Sequence, residues 1–421
     1  METTGTDSTA DARTHARAHA PEAEGTGTAA ACASRTELPA RTDVVVIGGG
    51  IVGLASAYEL ARAGRSVLLV ERSDLGCGST SKAAGGLRSQ FSDEANIRLG
   101  ARSLETFAWL QDERGHDLDL LRTGYLFLLS EQADVERFDE DVALQNSLGL
   151  RTTMLTVDEA KALSPVISTE GLIGAVFNPD DAHCTPEAAV AAFAHEARRA
   201  GARIATKAEV TGVDVRDGRV GAVTVSRGGE QQRVETDHVV CAAGVWSGAI
   251  GAMVGVELPI RPLKRHVAVT EPLDVDARAM PFTIDFSTSF YFHSEGDGLL
   301  MGAPEKEDTW EFDLHTDPTW LEHLSDLIET RAPELDDVAV RAGWAGLYEV
   351  TPDHNALIGS SDAVVGFHYA CGFSGHGFLQ GPAVGEVVRD LVLDREPFVD
   401  VNGLSVERFV SGDLRTELTI V

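Results

Sequence analysis

The stretch that most constrains this chain is Asp43 to Gly53, DVVVIGGGIVG. Four apolar residues, Val44 to Ile47, run directly into glycines at 48, 50 and 53, the G-x-G-x-x-G spacing. A helical pattern follows from Leu54 and stops at Gly64, and a second apolar run, Ser66 to Val70, ends at Glu71. This reads as strand, tight turn, helix and second strand, closing on an acid. A strand that is apolar throughout suits a parallel sheet covered on both faces. The first glycine makes the turn, the second lets the backbone approach a pyrophosphate, and the third lets helix and strand pack closely. The helix N-terminus presents free N–H groups and a positive dipole end to phosphates. Glu71 can accept both hydroxyls of an adenosine ribose, and an acid there disfavours a 2′-phosphate. The predicted ligand is therefore FAD or NAD rather than NADP, and the motif alone does not separate those two.

The chain has 421 residues, too many for one ordinary core, so two domains are expected. No apolar run approaches the about 20 residues of a membrane span. A formal net charge of −31 argues against nucleic-acid or anionic-membrane binding, since both need a basic face. The five cysteines, at 32, 77, 184, 241 and 371, are scattered and form no C-x-x-C. That fits a reducing cytosol better than a disulfide framework or a structural zinc, and the expected localisation is cytoplasmic. Residues 1–40 are poor in large apolar groups and are expected to form a disordered tail.

Further along, Ser92, Asp93 and Glu94 start a helix running to about Arg114, with a polar cap and acids in the first turn, and Thr123 to Ser130 reads as a strand. Ala133 to Leu148 reads as a helix, and Thr156 to Glu159 is a capping box. Asp180, Asp181 and His183 read as a solvated loop before a helix opened by Pro186. Residues 202–240 are hairpin-rich and lead into HVVCAAGVWS, a buried strand ending in small residues. Strands dominate 256–345, and a helix is expected from Pro382 to Asp394.

Four segments, DVVVIGGGIVG, HVVCAAGVWS, LYEVTPDHNALIG and CGFSGHGFLQGPAVG, together carry a resemblance. The chain resembles the FAD-dependent amine oxidoreductases of the D-amino-acid-oxidase-like superfamily. Within it, the likeness is to the sarcosine oxidase, dimethylglycine dehydrogenase and proline dehydrogenase β-subunit branch. The resemblance implies an α/β fold with α+β character: a Rossmann-type FAD-binding domain and an inserted, mostly antiparallel β-sheet substrate domain. It places the FAD domain at 41–87, 176–255 and 346–421, and the substrate domain at 88–175 and 256–345. It implies FAD at Gly48, Gly50, Ile51, Val52, Gly53, Glu71 and Arg72. Further contacts fall to Ser79, Thr80, Ala84, Gly85, Gly86, Val210, Ala242, Gly244 and Trp246. The flavin end is assigned to Gly346, Gly372, Phe373, Gly375, His376, Gly377 and Phe378.

Arg88 aligns with the branch's carboxylate-binding arginine, and a planar guanidinium suits bidentate binding. The branch's second carboxylate ligand, a lysine, meets Leu379 here. Its oxygen-site lysine meets Arg265, with Lys264 one residue earlier, and a shift of one turns a strand side chain to the other face. That departure points to a dehydrogenase as readily as to an oxidase. Members that link FAD covalently carry cysteine where Gly346 stands or histidine where Lys82 stands, so non-covalent FAD is expected. Tyr291 and His293, two apart on a strand, share a face and are candidates to line the substrate pocket.

The candidate catalytic set is Arg88, Arg265, Lys264, His376 and Tyr291. The implied reaction is oxidation of the C–N bond of an amino acid or N-alkyl amino acid, giving an imine that water hydrolyses. The implied partners are that small molecule and an electron acceptor, O2 or another protein, and a hetero-oligomer is compatible with the branch. Alternatives are a 2-hydroxy-acid oxidoreductase on the same scaffold, or a non-catalytic flavoprotein subunit or assembly factor.

Overall fold

The strand Val44–Ile47 lies in the middle of a six-stranded sheet, and both of its faces are buried. A computed structural model of the chain describes residues 38–412, 414, 416 and 417. The tail expected over 1–40 lies outside these residues except at its end. There Leu38 is buried in the core and the Ala40 carbonyl accepts the Glu235 N–H at 2.9 Å, so these residues are packed.

The six-stranded sheet runs in the order Leu357–Ser360, Phe367–Cys371, His238–Cys241, Val44–Ile47, Val67–Val70, Arg203–Ala205. All pairs are parallel except the edge strand Leu357–Ser360, which pairs antiparallel. Alternate residues supply two cores. Val44, Val46, Val67 and Leu69 face one, which is covered by the helices Ile51–Arg62, Pro186–Arg199 and Gly377–Val392. Val45, Ile47, Leu68 and Val70 face the other, which includes the antiparallel sheet Glu209–Arg216, Arg219–Arg227, Glu230–Glu235. This is the physical reason for the unbroken apolar run. The chain leaves Val44–Ile47 with neighbours on both sides reached by different connections. The crevice at such a reversal of strand order is where open α/β sheets bind ligands.

A second, eight-stranded sheet is ordered Val340–Val350, Arg261–Thr270, Gly298–Ala303, Phe290–Glu295, Phe282–Asp285, Tyr125–Leu129, Gly174–Asn178, Thr153–Leu155. Only the Phe282–Asp285/Tyr125–Leu129 pair is parallel. The predicted division points at 175/176 and 345/346 fall inside strands of this sheet, Gly174–Asn178 and Val340–Val350. A short ladder, Gly86–Leu87 with Ala182–His183, joins the stretch after the glycine loop to the chain leaving this sheet.

Two local expectations differ. The helix expected from Pro382 begins at Gly377, with Pro382 inside it, and a short helix, Arg408–Ser411, follows. Proline favours the first helical turn because its missing N–H is an orphan there, yet here His376 is the N-cap and the helix absorbs one lost bond further on. Asp181 and His183 are not solvated: they are 0% and 3% exposed, and only Asp180 reaches the surface, where it pairs with Arg151.

Candidate active site

The glycine loop is shaped by contacts that leave no room for side chains. Gly48 has φ +114°, and a Cβ there would lie 2.2 Å from the Ala242 carbonyl oxygen. A Cβ on Gly53 would lie 2.0 Å from the Gly48 carbonyl oxygen, so the third glycine seats the helix on the turn. Gly50 is the N-cap of the helix Ile51–Arg62 and offers no side-chain cap. Ile51 N–H donates to Thr80 Oγ1 at 3.2 Å. Glu71 Oε2 accepts the Gly49 N–H and Oε1 the Ser73 N–H, both at 2.7 Å, so the acid also braces the loop.

A single cleft runs from this loop between the two sheets. Its walls include Gly48, Gly50, Ile51, Val52, Glu71, Arg72, Ser79, Thr80, Ala84, Gly85, Gly86 and Val210. Ala242, Gly244, Trp246, Gly346, Gly375, His376, Gly377 and Phe378 continue it. Arg72 stacks its guanidinium 4.1 Å from the Trp246 ring, and the Ser79 hydroxyl donates to the Leu347 carbonyl at 2.7 Å. Three assigned residues do not line the cleft. Gly53 packs inside the loop, and Gly372 and Phe373 lie behind the wall, with Phe373 1% exposed in the core. Gly346 faces Lys82, and a Cβ there would meet the lysine Cβ at 2.9 Å.

The far end of the cleft is lined by Arg88, His376, Tyr125, Phe282, Tyr291, Tyr348 and Arg265. Arg88 is 3% exposed, and its NH2 lies 3.0 Å from His376 Nε2, joining residues 288 positions apart. Its NH1 donates to the Gln90 carbonyl, and its guanidinium stacks 4.2 Å from the Phe91 ring. Burial, then the Arg88 charge, pushes His376 down to about 3, so the imidazole is neutral and Nε2 accepts from the guanidinium. Asp181 fixes the strand end that carries Arg88. Its Oδ1 accepts Ser89 N–H at 2.9 Å and Ser89 Oγ–H at 2.7 Å, and its Oδ2 accepts Gln90 Nε2–H at 3.0 Å.

The aromatic groups form a ladder. Tyr125 stacks on Phe282 at 4.2 Å, and Phe282 stacks on Tyr291 at 5.5 Å and on His293 at 4.7 Å. Tyr291 reaches the cleft; His293, on the same face, packs behind Phe282 against His183. Burial raises Tyr125, Tyr291 and Tyr348, which keeps all three as neutral hydroxyls. Arg265 lines the cleft, lies 5.7 Å from the Tyr348 ring and pairs with Asp308 at 3.0 Å. Lys264 does not reach it. Its ammonium faces Glu305 at 3.9 Å and Glu311 at 3.8 Å, because successive strand side chains point to opposite faces.

Tyr125, Phe282, Tyr348, Glu349 and Asp181 escaped sequence reasoning. Tyr348 and Glu349 stand inside LYEVTPDHNALIG, so the motif held the signal. The cleft's donor set fits FAD: a side-chain-free loop at a helix N-terminus, an acid at the ribose end, and a second glycine segment at a second helix N-terminus.

Residues 43–391 match the family model described as FAD dependent oxidoreductase. The chain is 30% identical to human mitochondrial sarcosine dehydrogenase over 403 residues, which is 92% of this chain and 43% of that one. It is 30% identical to the 4-methylaminobutanoate oxidase (formaldehyde-forming) of Paenarthrobacter nicotinovorans, covering 89% of this chain and 46% of that one. It therefore spans less than half the length of these two relatives. The crystal structure of L-proline dehydrogenase from P. horikoshii superposes with a TM-score of 0.85 at 34% identity, covering 90% of this chain and all of that one.

Proposed function

The chain belongs to the FAD-dependent oxidoreductase family, and on that premise we propose that it oxidises the C–N bond of an amino acid carrying a secondary amine. The observation that carries this reading is the Arg88–His376 pair at the aromatic end of the cleft. FAD, when bound, supplies the two-electron acceptor.

The residues of the chain bind, orient and dry the substrate. The Arg88 guanidinium would take the carboxylate by charge-assisted hydrogen bonds, with its position set by His376, the Gln90 carbonyl and the Phe91 ring. Tyr125, Phe282, Tyr291 and Tyr348 would exclude water and leave the amine between hydroxyls and ring faces. Holding the reacting carbon in one geometry is worth a large part of such a barrier. The product imine would react with water to give the shortened amine and a carbonyl compound.

The far end of the cleft is lined by residues of the eight-stranded sheet, which supports reading that sheet as the substrate side. Similarity to proteins named for sarcosine, 4-methylaminobutanoate and L-proline supports a secondary amine. Non-covalent FAD is supported by Gly346 and Lys82 facing each other at the positions of the covalent anchors. The acceptor is proposed to be O2 or another protein. No helix among the described residues is long and apolar enough to cross a membrane. The scattered free thiols support a cytosolic setting.

The test is anaerobic mixing of the holoenzyme with primary amino acids, secondary amino acids and 2-hydroxy acids, followed by flavin absorbance. Bleaching by secondary amino acids is expected. Bleaching by 2-hydroxy acids alone would overturn the assignment.

A further inference from the structure

The short strand Gly86–Leu87 leads directly into Arg88. Residues two apart on an extended chain put their side chains on one face, about 7 Å apart. Gly86 has no side chain to offer there, and the Tyr125 hydroxyl fills the place. A Cβ on Gly86 would lie 1.7 Å from that oxygen and 2.9 Å from Phe282 Cε2. A hydroxyl carried by the eight-stranded sheet therefore stands in the row beside the buried guanidinium.

Packing fixes the phenol. Its ring stacks on Phe282 with the planes 8° apart, and the two residues pair in register on adjacent parallel strands. The Tyr125 carbonyl accepts the Gln90 side-chain N–H at 3.2 Å, while the Gln90 carbonyl accepts from Arg88 NH1. Gln90 thus sets the register of both groups. The Tyr125 hydroxyl itself has no hydrogen-bond partner among the described residues. Unlike Gln90 Oε1 it is not sealed off by protein, and Tyr125 lines the cleft.

A carboxylate offers about four lone-pair sites, and one arginine fork fills two of them. In a dry chamber the sites left over need donors, because an unpaired buried polar group is costly. Of the other polar groups at this end, Arg265 is paired with Asp308 and Tyr348 turns toward Gly375. Tyr291 crosses Gly302 on the strand Gly298–Ala303. Tyr125 is the one that stands beside Arg88.

We propose that Tyr125 is a substrate-binding residue whose hydroxyl donates to the carboxylate held by Arg88. This rests on the reading that Arg88 takes the carboxylate of the substrate. The anion then lies between a planar fork and a phenol, and an amine without the acid group gains nothing from either. Burial raises Tyr125 well above the usual phenol range, with the Arg88 charge as the largest pull the other way, so the hydroxyl carries its proton when the anion arrives.

The experiment compares the wild-type and Y125F holoenzymes in two arms. The first measures the dissociation constant of acetate from the shift it causes in flavin absorbance. The second measures anaerobic bleaching by an N-methyl amino acid and by the same amine lacking its carboxylate. Y125F should bind acetate roughly tenfold more weakly, the lower range for a hydrogen bond to a charged group. Its preference for the acid over the decarboxylated amine should fall by a similar factor, with the loss in KM rather than in kcat. Acetate bound as tightly by Y125F as by the wild type would overturn the proposal. Equal weakening of the acid and the decarboxylated amine would overturn it too, since that is the mark of a merely structural ring. A wild type whose flavin never responds to acetate would overturn it together with the carboxylate role of Arg88. If 2-hydroxy acids alone bleach the wild type, the amine assignment falls while the acetate arm still decides Tyr125 by the same results.

Discussion

Arg88 is a cation held in an almost dry site, so its worth depends on geometry rather than on charge alone. Its planar fork is engaged with His376 and the Gln90 carbonyl. Lysine would keep the charge and lose the fork. R88K is expected to raise KM for the carboxylate substrate roughly 10- to 100-fold, the range of a charge-assisted hydrogen bond, and to leave the flavin spectrum unchanged. Steady-state kinetics beside an absorbance scan read both. His376 makes a pH prediction. Its folded pKa, about 3, lies below the value near 6.5 of an unfolded histidine, so the unfolded chain takes up the proton first in acid. The stability that depends on a neutral His376 is present at neutral pH and is lost as pH falls below about 6.5. Relative to H376Q, the wild type should lose about 1.4 kcal/mol per pH unit below that point, the slope of one proton. Chemical denaturation of both proteins at pH 7, 6 and 5 measures the gap.

Two helices bring their N-termini to the cleft, and their mutual packing sets its shape. Gly385 of Gly377–Val392 lies so close to Ile51–Arg62 that a Cβ would meet the Ala55 carbonyl carbon at 2.7 Å. Helix propensity alone says that G385A should gain about 1 kcal/mol. Overpacking typically costs about 1–3 kcal/mol, and here the obstacle is backbone, which cannot rotate away. G385A is expected to lower the urea midpoint and weaken FAD binding; a raised midpoint would mean that the two helices are free to separate. At this scale much was legible in the sequence. The strand, loop and helix from Val44 to Arg62, the polar helix start at 92–94 and the Thr156 capping box all rest on local chemistry, and local chemistry decided them. The start of the helix Gly377–Val392 is not legible in the sequence because Pro382 mimics a first-turn proline while the true N-cap, His376, caps with no side-chain bond. The burial of Asp181 was invisible because its partners, Ser89 and Gln90, lie about ninety positions away.

At the largest scale, a cleft between a mostly parallel and a mostly antiparallel sheet joins a dinucleotide anchor to an aromatic chamber. The anchor could be read from spacing, because phosphate binding uses backbone and therefore glycine. The chamber could not. Its tyrosines and Phe282 come from four separate strands, and only the register of the eight-stranded sheet brings them together. The central claim is that Arg88 recognises a carboxylate while the chamber holds a secondary amine. The most direct measurement is anaerobic titration of the holoenzyme with an N-methyl amino acid and with the same amine lacking its carboxylate. The flavin should bleach with the acid at low concentration and with the decarboxylated amine only weakly, and R88K should erase most of that difference. Equal bleaching by both compounds, or a preference that survives in R88K, would contradict the account.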